Sequence, residues 1–167
     1  MYILGDIGNS ETKVFLVNSK KRIIANINFP SKKISNKILN NKFKLLIKDF
    51  AVIEKILFCS VVPESFNLIK KFLFKKIKTK CYEVKELNLE TLIDINVNYK
   101  QVGSDRLTNA ISLLNNKDNF IILDFGTATT FDVILKKTYK GGVIAPGIKI
   151  SLNTLSDKAS LIPKINL

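Results

Sequence analysis

Two stretches of the chain carry the same chemistry-bearing pattern. Asp6-Ile7-Gly8-Asn9-Ser10-Glu11-Thr12 and Asp124-Phe125-Gly126-Thr127-Ala128-Thr129-Thr130 each follow an apolar run, place Asp and then Gly, and pass through polar residues to Thr and a second apolar run. An aspartate at a strand end can hold a cation. The glycine lets the backbone turn close to a ligand, and the N–H groups and hydroxyls beyond it can cradle phosphate oxygens. A single Asp-x-Gly is also what an ordinary hairpin turn contains. Two copies, spaced 118 residues from Asp6 to Asp124, point instead to a nucleotide with Mg²⁺, the carboxylates holding cations and the turns holding phosphates.

A third group, Gly103-Ser104-Asp105-Arg106, precedes Leu107, Ala110, Ile111 and Leu114 at helical spacing, so Asp105 lies at the start of a helix. A carboxylate there is favoured by the helix dipole as a simple cap. It is also placed to accept a proton from a substrate hydroxyl, with Arg106 orienting an anionic substrate. The chain has no His, so a general base must come from a carboxylate, Lys or Cys. Gly141, Gly142 and Gly147 suit either a cleft wall or a tight hairpin.

The elements that must position these groups alternate in type. Residues 2–7 and 13–18 read as strands around the turn 8–12, and 22–29 as a third strand closed by Pro30. A helix is predicted over 31–50, with Ser31 in the N-cap position and Phe50 on its apolar stripe. A buried strand over 53–62 leads to Pro63, which opens a helix carrying Phe66, Ile69, Phe72, Leu73 and Ile77. Residues 81–84 form a short strand, and 85–98 show no period. Strands over 120–125 and 130–135 and a helix from 148 to about 160 complete an α/β pattern. The repeat implies a duplicated α/β unit with a cleft between the copies. Only 43 residues follow Asp124, so the second copy is expected to be incomplete.

Composition excludes several classes. At 167 residues, with 46% apolar and 25% charged residues, the chain is globular rather than disordered or fibrous. The net charge of +13 favours anionic partners, but the basic residues are dispersed and form no Arg-rich block, which disfavours a nucleic-acid module. Cys59 and Cys81 stand singly in apolar runs, as reduced core thiols would, without the paired spacing of a metal or redox site. No apolar run reaches the ~18 residues of a membrane span and the N-terminus has no basic leader, so a cytoplasmic protein is expected.

The motifs together resemble the type III pantothenate kinase family, within the acetate and sugar kinase, heat-shock and actin superfamily. The matching stretches are Asp6 to Ser10 with Thr12, Val61-Val62-Pro63, Gly103 to Arg106, Asp124 to Asp132, and Gly141 to Ile148, in the family's order. The resemblance implies duplicated ribonuclease-H-like, actin-like ATPase domains with a central cleft, the first over 1–115 and an incomplete second over 116–167. It implies ATP-dependent phosphorylation of pantothenate, the first committed step of coenzyme A synthesis. Carried over, Asp6, Ile7, Gly8, Asn9, Ser10, Glu11, Thr12 and Lys13 form the first phosphate-binding loop, and Thr127 meets ATP in the second. Asp105 accepts the proton of the pantothenate hydroxyl, while Gly103, Ser104 and Arg106 line the substrate site. Asp124 holds an activating monovalent cation, K⁺ or NH₄⁺, alongside Mg²⁺ with ATP, and the working form is a homodimer. Where the family has Tyr and Pro before its Gly-x-Asp-Arg motif, this chain has Asn96 and Tyr99. The family also continues beyond the segment Leu161-Ile162-Pro163, which leaves a non-catalytic or partner-dependent binding protein as the alternative.

Overall fold

Alternation of apolar and other residues along the first strands sets which face of a sheet each side chain takes. In the computed structural model, which describes residues 1–47, 53–115, 117–159 and 162–163, strand β1 (Tyr2–Ile7) turns into β2 (Glu11–Val17), which pairs antiparallel with β3 (Ile23–Pro30). Helix α1 (Asn36–Leu46) and strand β4 (Lys55–Ser60) follow, then helix α2 (Pro63–Ile77) and strand β5 (Cys81–Glu83). The sheet order is β3-β2-β1-β4-β5, and β4 pairs parallel with both β1 and β5. Parallel pairing requires a crossover, which the chain makes through α1 and α2.

The chain divides into two compact units, 1–89 with 103–108 and 90–102 with 109–167. In the first, Ile3, Ile7, Val14, Leu16, Ile27 and Phe29 point from the sheet to one side, and Leu39 and Phe43 of α1 with Phe66, Ile69, Phe72 and Leu73 of α2 close over them. The Phe43 and Phe72 rings lie 5.4 Å apart, so the two helices also pack on each other. Pro63 stands at the first position of α2, where its missing N–H costs nothing.

The structure corrects the start of α1. Ser31 is not its N-cap but lies in a 3-10 turn over Ser31–Lys33, and Ser35 caps the helix by accepting the Ile38 N–H at 3.3 Å. Ser31 is buried because its hydroxyl bonds that of Thr12 at 2.8 Å, a tertiary demand that overrides its local preference. Phe50, expected on the same helix, lies outside the described residues, as does Leu161.

The second unit holds β6 (Asp94–Ile95), β7 (Asn119–Phe125), β8 (Ala128–Leu135) and β9 (Thr138–Pro146), in the order β6-β9-β8-β7. β7, β8 and β9 form an antiparallel meander, and β6 pairs parallel with β9. The aperiodic stretch 85–98 thus holds a two-residue strand and two 3-10 turns, too short for a period to show. Gly141 and Gly142 lie in β9, and Gly147 is the N-cap of α4. Helix α3 (Ser104–Ser112) contributes to both units and helix α4 (Ile148–Lys158) follows β9. Among the described residues no helix is long and apolar enough to cross a membrane.

Candidate functional site

In the first unit, register assembles the site. Asp6 stands directly opposite Lys13 on β2 and Cys59 on β4, so the three side chains share the sheet face turned away from the helices. The Cys59 thiol donates to Asp6 Oδ1 at 3.4 Å. Burial pushes the Cys59 thiol well above the usual thiol range, and the charges of Asp6, Asp105 and Glu83 push it further. A neutral thiol thus marks where three carboxylates converge, among them the two that sequence reading singled out from opposite ends of this unit's chain.

The turn after Asp6 is closed by the Gly8 N–H donating to Glu11 O at 3.1 Å. Asn9 and Ser10 are exposed on it, while Ile7 and Thr12 are wholly buried. The Thr12 hydroxyl meets Ser31, the Ser31 N–H donates to Ser10 O at 3.1 Å, and Ser65 of α2 donates to Ser31 O at 3.1 Å. Thr12 therefore ties the turn to the helical layer. Lys13 Nζ lies 4.0 Å from Glu11 Oε2, and Asn28 donates to the other Glu11 oxygen at 2.7 Å.

Helix α3 is fixed at its start by Ser104, which is almost wholly buried. Its Oγ accepts the Ser60 N–H at 2.7 Å and donates to Ser60 O at 3.0 Å, a reciprocal pair that ties Asp105 to the end of β4. Asp105 Oδ1 accepts the N–H of Arg106 at 2.8 Å. A side chain at position 103 would displace the Asp105 carboxylate from its present place and meet Val61 at 3.5 Å.

In the second unit Asp124 ends β7 exposed and Gly126 with Thr127 makes the turn into β8. Gly147 donates its N–H to Thr127 O at 3.1 Å, and an added Cβ there would strike the backbone of Gly126 and Thr127. Asn109 donates to Asp124 Oδ2 at 3.2 Å, and Thr130 sits directly opposite Asp124 on β8 with its buried hydroxyl lacking a hydrogen-bond partner. An orphaned hydroxyl opposite an exposed carboxylate gives oxygen donors, which suit a hard cation, while the Asn109 amide orients the carboxylate by donating to it. Among the described residues no three His, Cys, Asp or Glu side chains gather as a metal site. Mg²⁺ fits such a protein when phosphate oxygens and water supply most of its shell. Asp132, also of the second motif, is fully buried and accepts the Tyr139 hydroxyl.

Comparison with known proteins supplies the lineage. A family model described as Type III pantothenate kinase matches residues 2–167. The chain belongs to the type III pantothenate kinase family. A type III pantothenate kinase of Pelagibacter ubique (strain HTCC1062) is 64% identical over 167 residues, which is all of this chain and 67% of the relative. Among solved structures, a protein described as a Baf family transcriptional activator from Campylobacter jejuni superposes with a TM-score of 0.55 at 21% identity, covering 93% of this chain and 59% of the other. One described as a 2-dehydro-3-deoxygalactonokinase from Sinorhizobium meliloti gives 0.54 at 10% identity, over 95% and 58%. At such identities these two show the fold alone, an incomplete duplicated ribonuclease-H-like α/β fold of the actin and sugar kinase type, as the motifs of this pantothenate kinase relative imply. The chain spans two thirds or less of each of these proteins.

Sequence reading missed Cys59, Glu83, Asn109 and Thr130. Cys59 reads as a core thiol because its apolar neighbours are visible and its register against Asp6 is not. Thr130 alone had a signal, as the counterpart of Thr12 in the repeat.

Proposed function

We propose that this chain carries the catalytic half-sites for ATP-dependent phosphorylation of pantothenate, the opening reaction of coenzyme A synthesis. The observation that carries the reading is the reciprocal Ser104–Ser60 hydrogen-bond pair, which holds the start of α3, where Asp105 lies, against the end of β4 opposite Ile7 of the Asp6 turn; this supports reading a phosphate turn and a base candidate at one sheet end. Asp105 accepts the proton of the pantothenate hydroxyl as that oxygen bonds the γ-phosphorus and the bond to the bridging oxygen of ADP breaks. The turn from Asp6 to Lys13 offers N–H groups and Lys13 to phosphate oxygens, with Thr127 serving the second turn. Gly103 and Arg106 contact pantothenate, and Ser104 acts by holding Asp105 to Ser60. Asp124 and Thr130 hold K⁺ or NH₄⁺, with Asn109 orienting the Asp124 carboxylate; the cation would supply positive charge near the phosphates, and Mg²⁺ arrives with ATP. The working form in this reading is a cytoplasmic homodimer, with an actin-like ATPase domain over 1–115 and the start of a second over 116–167.

The test is pantothenate phosphorylation by the purified chain with K⁺ or NH₄⁺, beside Asp105→Asn. Turnover that needs the cation and falls at least ~100-fold in the variant supports the reading, that being the lower range for loss of a general base. Equal turnover in the variant removes Asp105 from its role. A folded chain without turnover favours the partner-dependent binding protein, since phosphoryl transfer rests on positioning.

A further inference from the structure

The positive charge of this chain is spread along the sequence but gathered by the fold. Residues 70–80 read Lys-Lys-Phe-Leu-Phe-Lys-Lys-Ile-Lys-Thr-Lys, with no acidic residue among them. They form the last turns of α2 and the lead into β5. Ile69, Phe72 and Leu73 go into the core of the first unit, so the helical period turns Lys71, Phe74 and Lys75 outward together, followed by Lys78 at the C-cap. Lys70 is engaged by Glu86 and by the Phe66 ring. Among the described residues Lys71, Lys75, Lys76 and Lys78 have no acidic partner. Glu64, the one acidic residue of α2, stands in its first turn. From there to Lys75 is about 17 Å along the helix axis, beyond a screening length at ordinary ionic strength.

Lysines alone would make a solvated face, and two apolar side chains set this one apart. Leu68 is 47% and Phe74 60% exposed, and each stands in a depression walled by lysines. One, of about 340 Å³, lies between α1 and α2, with Leu68 and Phe72 beside Lys71, Lys75 and Lys76. The other, of about 390 Å³, shares Lys71 and sets Phe74 beside Lys70 and Lys80. Apolar tips ringed by ammonium groups fit the boundary between anionic headgroups and acyl chains. Nucleic acid fits this face less well. The chain's two arginines, Arg22 and Arg106, stand elsewhere, and lysines without the guanidinium fork or a row of exposed aromatic rings offer neither base reading nor a stacking platform.

We propose that the outer face of α2 is a peripheral docking surface for an anionic lipid bilayer. Lys71, Lys75, Lys76 and Lys78 hold the lipid phosphates by charge, and Leu68 and Phe74 enter the acyl boundary between them. Asp6 lies on the sheet face turned away from the helices, so docking through α2 leaves the turn after it uncovered.

The test measures co-sedimentation of the 167-residue chain with vesicles of phosphatidylglycerol mixed with phosphatidylcholine, beside vesicles of phosphatidylcholine alone. Binding is expected only to the mixed vesicles, and it weakens as salt rises. Each lysine near an anionic surface strengthens binding about fivefold, so Lys71→Gln, Lys75→Gln and Lys76→Gln together are expected to weaken it ~100-fold. The same change at Lys136, Lys140 and Lys149, exposed in the second unit, is expected to weaken it less than ~5-fold, because those charges lie off the docking face. Arg at the three α2 positions is expected to keep binding, which separates lost charge from lost fold. The chain has no Trp, so the indole placed by Phe74→Trp reports depth. Blue-shifted emission and quenching by brominated acyl chains are expected on the mixed vesicles. Equal loss in the two Gln triples, failure of the Arg triple, unshifted emission, or no binding to the mixed vesicles each overturns the proposal. A chain that binds duplex DNA or poly-glutamate through the same lysines and leaves vesicles alone overturns it too. None of these outcomes depends on pantothenate turnover.

Discussion

Ile3 and Ile121 hold the same place in two copies of one motif, yet one is sealed in a core and the other is 68% exposed. Both strands alternate in the same way and both enter the same Asp-x-Gly turn. The local pattern therefore settles the hairpin and the side of the sheet that each residue takes. Burial is granted by elements elsewhere in the chain, here α1 and α2 in the first unit.

The widest test of that contrast is core truncation. Phe43→Ala is expected to lower stability by about 3–5 kcal/mol, whereas Phe125→Ala in the second unit changes it by less than about 0.5 kcal/mol. Urea denaturation followed for each variant reads both, and equal losses would break the contrast. Gly147→Ala comes next, at about 1–3 kcal/mol, because the new methyl group meets backbone that has nowhere to move. Gly126→Ala, whose Cβ meets only Ala128 O at 3.6 Å, is expected to stay within about 0.5 kcal/mol by the same melts.

How much of this was legible in the sequence differs between the units. The repeat, the turn after Asp6, the helix opened by Pro63 and the start of α3 at Ser104 were all readable, because each rests on local spacing. The N-cap at Ser35 was not, since Ser31 looks equally suited until Thr12 claims its hydroxyl. The place of Cys59 in the site was hidden for a related reason. It follows from parallel pairing between residues 53 positions apart, which no local window contains.

The thiols sharpen the reading of the first unit. Cys81 is pushed up to about 12 by burial, and Cys59 is raised by burial and by its carboxylate neighbours. Iodoacetamide at pH 8 is therefore expected to label both at least 10-fold more slowly than free cysteine, because the thiolate is the reactive form. Asp6→Asn removes one of the charges that hold the Cys59 thiol protonated, so labelling there rises while Cys81 is unchanged. Mass spectrometry of the two peptides would contradict the converging carboxylates if both responded alike.

The smallest effect belongs to Lys70 and Glu86, 2.8 Å apart at the surface. The hydrogen bond from Lys70 holds the Glu86 carboxyl below its ordinary value. A carboxyl depressed in the folded state adds stability above its unfolded pKa of about 4.5, and that contribution is lost as pH falls through the folded value. Lys70→Met is expected to cost a few tenths of a kcal/mol at pH 7 and nothing at pH 2. Melts at the two pH values that show the same difference would assign the cost to packing instead.

The parallel pairing of β1 with β4 also sets an order of events during synthesis. Tyr2 finds its partner in Lys55, so after β2 ends at Val17 the inner edge of β1 waits for 38 further residues, about 2–8 seconds at ordinary elongation rates. The meander of β7, β8 and β9 has no such wait, because each strand follows its partner within a turn. Within the first unit, the N-terminal hairpin is thus the part that has most need of a chaperone's cover while it is being made.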